Sequence, residues 1–140
     1  MNNVLIDTDV ILDFFFDRKP HSDYAASVLS LCESKEINGY VTPVILSNLY
    51  YLLRQTATHE RVIDKLSQLV FITEVLTINK SSIIQALNSE FKDFEDALQN
   101  FSAENDGRIE VVLTRNVKDY KKSNLSVMTP ETYLKTIVAG

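Results

Sequence analysis

The stretch Asn3-Val4-Leu5-Ile6-Asp7-Thr8-Asp9-Val10-Ile11-Leu12-Asp13-Phe14 decides how the chain is read. Val4, Leu5 and Ile6 are consecutive apolar residues rather than alternating ones, the pattern of a strand covered on both faces in a parallel sheet. The second apolar run, Val10 to Phe16, is long and aromatic-rich and reads as a helix opening near Asp9. Asp7 then falls at the carboxyl end of a parallel strand, where open α/β sheets place their ligand crevice. A carboxylate there is costly to desolvate unless a cation or hydrogen-bond donors meet it.

Outward from this stretch, strands and helices alternate. In the first helix Val10, Ile11, Phe14 and Phe15 share one side. Asp13 and Asp17, four residues apart, fall on the other and are expected to be solvated. A helix follows from about His21 to Glu36, with Tyr24, Val28, Leu31 and Cys32 inward, and Asn38-Gly39 ends it. Tyr40-Val41-Thr42 is a short strand. Thr42-Pro43 then gives a strong helix start, with Thr as cap and Pro in the first turn, running to about Gln55. Thr58 caps a helix to roughly Leu69. Val70 to Thr73 and Val75-Leu76 suggest a strand, and Asn79 caps a helix from Lys80 to Leu87. Asp93-Phe94-Glu95-Asp96 opens a helix to about Glu104, and Asn105-Asp106-Gly107 is a turn. Ile109 to Thr114 is the strongest strand after the first. Arg115 to Tyr120 is a loop or single helical turn, Ser126-Val127-Met128 a last strand, and Thr129-Pro130-Glu131 the start of a final helix to about Val138. The alternation predicts one α/β domain over residues 1–140, with a mostly parallel central sheet between two helical layers.

Composition narrows the function classes. The chain has 140 residues and a net charge of −5, with a pI near 5.0. Charge alone therefore does not draw it to nucleic acid, although carboxylates gathered for a cation would make a nuclease acidic too. Cys32 is the only cysteine, so an internal disulfide and a zinc–thiolate cluster are both excluded, and a small buried apolar role is expected for it. His21 and His59 sit near helix starts and read as surface residues. No charged-then-apolar leader and no long apolar run occurs, which predicts a cytoplasmic protein with no membrane segment.

The acids suggest where chemistry would lie. Strand carboxyl ends and the starts of following helices share one edge of a parallel sheet. Asp7, and Asp119 just past the Leu113 strand, would thus line one crevice. Asp96 joins them only if its helix begins at that edge. Asp93 and Asp96 also fit a helix cap and its first turn, which needs no function. Carboxylates converging without Cys and with few His would select a hard cation, magnesium or manganese, over zinc.

The order of these motifs resembles the PIN domain, a family of metal-dependent ribonucleases that includes many toxins of type II toxin–antitoxin pairs. Val4-Leu5-Ile6-Asp7-Thr8-Asp9 is similar to the family's opening strand, first acid and following Thr-Asn, with Asp9 standing for Asn. Asp93-Phe94-Glu95-Asp96-Ala97-Leu98 resembles the helix start that carries the third acid, best matched by Asp96. Leu113-Thr114-Arg115-Asn116-Val117-Lys118-Asp119-Tyr120 resembles the last motif, whose fourth ligand would be Asp119 or Asn116. The resemblance implies a Mg2+- or Mn2+-dependent endoribonuclease with a three-layer α/β/α fold. Asp7, Asp96 and Asp119 would be the metal-binding and catalytic acids, Asn116 a further ligand, and Thr8, Asp9, Asn48, Thr114 and Arg115 supporting residues, Arg115 by bidentate contact with a phosphate. It also implies RNA as substrate and a small antitoxin as partner. Tyr50, Tyr51, Leu52 and Leu53 would pack in the core, or extend to a homodimer surface.

One position departs from the pattern. Asn48, in Ser47-Asn48-Leu49-Tyr50, stands where the family's second acid, a Glu, is expected. An amide oxygen can coordinate but supplies no charge, and charge count controls hard-cation affinity. Asp9 is the candidate to restore it. The alternative is a PIN-fold binding module with weakened or no catalysis. A third reading takes Asp7-Thr8-Asp9 as a haloacid-dehalogenase nucleophile motif, but Ile11 occupies the place of that motif's following Thr.

Overall fold

A computed structural model describes residues 1–139. Five strands form one parallel sheet: β1 (Asn3–Ile6), β2 (Asn38–Val41), β3 (Glu74–Val75), β4 (Val111–Leu113) and β5 (Ser126–Met128), in the order β3-β2-β1-β4-β5. The consecutive apolar residues of β1 and β4 are explained by this order. Val4, Leu5, Ile6, Val111, Val112 and Leu113 lie on interior strands, and none keeps measurable solvent exposure. Removing each such side chain from water contributes roughly 1.5–3 kcal/mol. Register pairs Leu5 with Tyr40 on one side and with Val112 on the other.

The crossovers place the helices. Right-handed βαβ connections running from β1 through β2 to β3 put α1 (Thr8–Phe15), α2 (His21–Glu33), α3 (Pro43–Leu53) and α4 (His59–Ile72) on one face. The reversed step from β3 to β4 puts α5 (Lys80–Leu87) and α6 (Phe94–Asp106), which pack on each other, on the opposite face. The last helix, α7 (Pro130–Ala139), packs on α2. The three-layer α/β/α arrangement expected from the alternation is what is found. Strand order reverses between β1 and β4, which makes their carboxyl ends the switch point of the sheet.

Local sequence accounts for most boundaries. Thr42, Thr58, Asn79 and Asp93 each cap a helix by accepting from the backbone N–H three residues on, and Pro43 fills the first turn of α3. Gly107 ends α6 at φ 83°, a left-handed position suited to glycine. Gly39 answers a packing need instead. A Cβ there would lie 2.5 Å from Cys32 Sγ and 3.1 Å from Ile6 Cδ1, so β2 approaches α2 only without a side chain. Cys32 is buried, and burial pushes its thiol up to about 11, as its expected apolar role requires.

One element differs from expectation. Val70 to Ile72 continue α4 rather than forming a strand, and the strand is only Glu74–Val75. The apolar run is amphipathic at helical spacing: Leu69 is buried, while Val70 and Phe71 face outward. A short apolar run does not reveal its period without its neighbours.

Candidate functional site

Asp7 extends β1 by one ladder bond, its N–H donating to Leu113 O at 3.0 Å, and then caps α1. Its side chain is 6% exposed. Oδ1 accepts from Thr8 N at 2.8 Å and Gln99 Nε2 at 3.3 Å; Oδ2 accepts from Thr114 Oγ1 at 2.9 Å and Tyr120 Oη at 3.5 Å. All four donors are neutral. Burial raises the Asp7 pKa, and these hydrogen bonds pull it only part of the way back.

Two further carboxylates crowd this one. Asp96 sits in the first turn of α6, and its Oδ1 accepts from Tyr120 Oη at 3.3 Å. The Tyr120 hydroxyl thus lies between Asp7 and Asp96, and its single proton serves one of them at a time. Burial, then repulsion from Asp7 and Asp93, push Asp96 up to about 7, with a smaller push from Asp119. Asp9, in the first turn of α1, accepts from Arg115 N at 3.0 Å and Thr114 Oγ1 at 3.4 Å. Burial and then repulsion from Asp7 raise it to about 6. Among the described residues, no ion pair reaches Asp7, Asp9, Glu95 or Asp96.

Asp13 corrects the sequence reading. Expected on a solvated face with Asp17, it is 1% exposed. Arg115 grips it with Nε to Oδ2 at 2.6 Å and Nη2 to Oδ1 at 3.0 Å, and Arg18 Nη1 adds a contact at 3.5 Å. The bidentate partner of Arg115 is therefore Asp13, and the Arg115 backbone N–H is what holds Asp9. Asp17 is exposed, as expected.

The other expected residues surround this cluster. Thr114 is buried at the end of β4 and joins Asp7, Asp9 and the Asn116 N–H, which donates to it at 3.0 Å. Thr8 gives its backbone N–H to Asp7, while its hydroxyl is buried with no partner among the described residues. Asn116 and Asp119 are exposed around the 3-10 turn Val117–Tyr120, with Asp119 near enough to Asp96 to raise its pKa. Asn48 is half-buried on α3 beside Glu95, whose carboxyl burial pushes up and the Asn48 amide pulls part of the way back. Asp9 faces Arg115 and Thr114, so the acid beside Asn48 is Glu95.

Gln99 and Glu95 are not among the site residues that the sequence reading selects. Their spacing could have found them, since Gln99 lies three residues after Asp96 and four after Glu95 on one helix and so neighbours both. Gln99 is fully buried, and its Oε1 has no hydrogen-bond partner among the described residues. Tyr50 and Leu52 are half-buried and Leu53 buried, as core packing predicts, but Tyr51 is 67% exposed.

Among the described residues, no three Asp, Glu, His or Cys side chains stand at the spacing of a ready-made metal cage. Charge and donor type nonetheless fit a hard cation. The cluster is oxygen-rich, burial raises the pKa of Asp7, Asp9 and Asp96, repulsion from Asp7 adds to the last two, and among the described residues buried oxygens of Asp9 and Gln99 have no donor. A buried acid ladder of this kind, at the switch point of a parallel sheet, defines a class of α/β protein with an acidic crevice at its strand ends.

The family is set by comparison. The family model for the PIN domain matches residues 3–118, and the chain belongs to the PIN domain family. Ribonuclease VapC1 of Aquifex aeolicus is 23% identical over 135 residues, covering 93% of this chain and 92% of that protein. Among solved structures, a toxin–antitoxin complex from Klebsiella pneumoniae superposes with a TM-score of 0.68 at 22% identity, covering 91% of this chain and 98% of the other. DNA-bound VapBC from Salmonella typhimurium gives 0.68 at 17% identity, covering 93% and 99%. VapC20 of Mycobacterium tuberculosis, a toxin that cleaves the Sarcin-Ricin loop, gives 0.66 at 14% identity, covering 86% and 95%. Among the described residues, no helix is long and apolar enough to cross a membrane.

Proposed function

We propose that the chain is a single PIN-domain unit acting in the cytoplasm as a divalent-metal-dependent endoribonuclease, the toxin of a toxin–antitoxin pair. The observation that carries this reading is Asp7: a buried carboxylate at the strand switch point, beside further acids and, among the described residues, with no cationic side chain paired to it. Asp7 and Asp96 would hold a Mg2+ or Mn2+ ion, with Asp119 and Asn116 reaching it from the 3-10 turn. That ion would orient an RNA phosphodiester, lower the pKa of an attacking water and stabilise the leaving oxygen.

The chain's own residues do the positioning. Thr8 N and Thr114 Oγ1 each donate to one oxygen of Asp7, which orients the carboxylate and favours its ionised form against burial. Gln99 and Tyr120 tie that carboxylate to α6 and hence to Asp96. Arg115 spends two donors on Asp13, which stiffens the β4 turn and keeps Arg115 N on Asp9. Only its remaining donors are left to meet a phosphate.

The sequence relation to ribonuclease VapC1 supports RNA as substrate, and the toxin–antitoxin complexes with the same fold support a small protein partner. Cleavage of single-stranded RNA in Mg2+ or Mn2+, comparing the native chain with Asp7→Asn, tests the assignment. The native chain is expected to cleave and the variant to lose cleavage; equal activity refutes it. The product of a small adjacent gene is expected to co-elute with the chain and suppress cleavage.

A further inference from the structure

We propose that Glu95 is a cation ligand of this site, supplying on the Asn48 side the negative charge that the Asn48 amide does not carry. The proposal rests on the metal-dependent reading above. Glu95 immediately precedes Asp96 in the first turn of α6, and Gln99 lies four residues on. Glu95 and Gln99 therefore share a helix face, with Asp96, three residues before Gln99, at its border. Gln99 shows where that face points, because its Nε2 reaches both Asp7 Oδ1 and Tyr120 Oη. Glu95 occupies the turn before it, against the Asn48 amide and close enough to Asp7 to feel its charge.

A glutamate serving only the helix dipole gains from the N-terminus while fully exposed. Glu95 is instead half-buried, with no ion pair among the described residues and an amide for company. A second, separate observation points to a ligand at the same place. Among the described residues, the fully buried Gln99 has no donor to its Oε1, and a buried amide oxygen is costly unless something completes it. A hydrated cation between Asp7, Asp96 and Glu95 would give that oxygen a water to accept from.

The test is Mn2+ binding by the full chain, read by calorimetry and by electron paramagnetic resonance of free Mn2+. Glu95→Gln is expected to weaken Mn2+ by about tenfold or more, as loss of one ligand charge should. The double variant Asn48→Glu/Glu95→Gln is expected to recover most of that loss, since it moves the carboxylate across the same contact. Glu90→Gln, which removes an equal charge from an exposed ion pair with Lys122, is expected to bind like the native chain. Melting of each variant without metal checks that it folds. If Asp7→Asn abolishes binding while Glu95→Gln stays within twofold of native, Glu95 is not a ligand and the metal-dependent reading stands. If the native chain takes up no Mn2+ at millimolar concentration, both fall.

Discussion

Replacing Asp9 by Asn should stabilise the metal-free protein, and only above a defined pH. Asp9 is raised from 3.8 to about 6, by burial first and by Asp7 second. A raised carboxyl binds its proton more tightly in the folded state. Its contribution to stability is then present in full below pH 3.8 and is lost as pH rises through 6. The two-unit rise corresponds to about 3 kcal/mol against the fold once Asp9 is ionised. In Asp9→Asn the amide keeps an acceptor for Arg115 N and removes the repulsion, but it still buries a polar group where Asp9 Oδ1 now has no partner. A net gain of roughly 1–2 kcal/mol is therefore expected at pH 8. At typical urea sensitivities for a small domain this moves the unfolding midpoint by about 1 M. Urea unfolding of both proteins, in chelator, at several pH values from 4 to 8 measures it. The variant should be roughly 1–2 kcal/mol less stable than native near pH 4, overtake it as pH rises toward 6 and hold a nearly constant gain beyond. A variant less stable than native at pH 8, or a gain that does not change with pH, would refute the reasoning.

Other perturbations have equally definite outcomes. Arg115→Ala leaves Asp13 buried with only the longer Arg18 contact, and should cost about 3 kcal/mol in chemical unfolding at pH 7; loss of cleavage without loss of stability would contradict the structural role of the pair. Gly39→Ala drives a Cβ into Cys32 Sγ and should cost roughly 1–3 kcal/mol, part of it recovered in Cys32→Ala/Gly39→Ala, as thermal melting would show. Mn2+ at a hundredfold its Kd should raise stability by about 2.7 kcal/mol, an increase that Asp7→Asn abolishes. Because Asp96 is raised to about 7 and Asp9 to about 6, Mn2+ affinity should climb between pH 6 and 8 as the acids shed their protons; an affinity independent of pH over that range would contradict it.

The chain's own sequence determined more of the sheet than of the site. The apolar runs at Val4–Ile6 and Val111–Leu113, rich in β-branched residues and bounded by polar ones, read as strands covered on both faces. Thr42, Thr58, Asn79 and Asp93 mark helix starts through bonds to residues three away. Such signals are local, and local chemistry reads directly from the chain. Val70 to Ile72 misled because three apolar residues fit either period. Asp7 was legible for the same local reason, a carboxylate at the end of a buried strand. Its surroundings were not. Asp13 reads as a solvated helix acid until Arg115, 102 residues away, closes on it. Gln99 and Tyr120 reach Asp7 from other elements, and Asp9 turns toward Arg115 rather than Asn48. Glu95 meets Asn48 only because α6 begins at the same sheet edge as the crevice. Which charges are buried together, and therefore which are uncompensated, depends on distances between segments far apart in the chain, and these exist only once the sheet has brought β1, β4, α3 and α6 together.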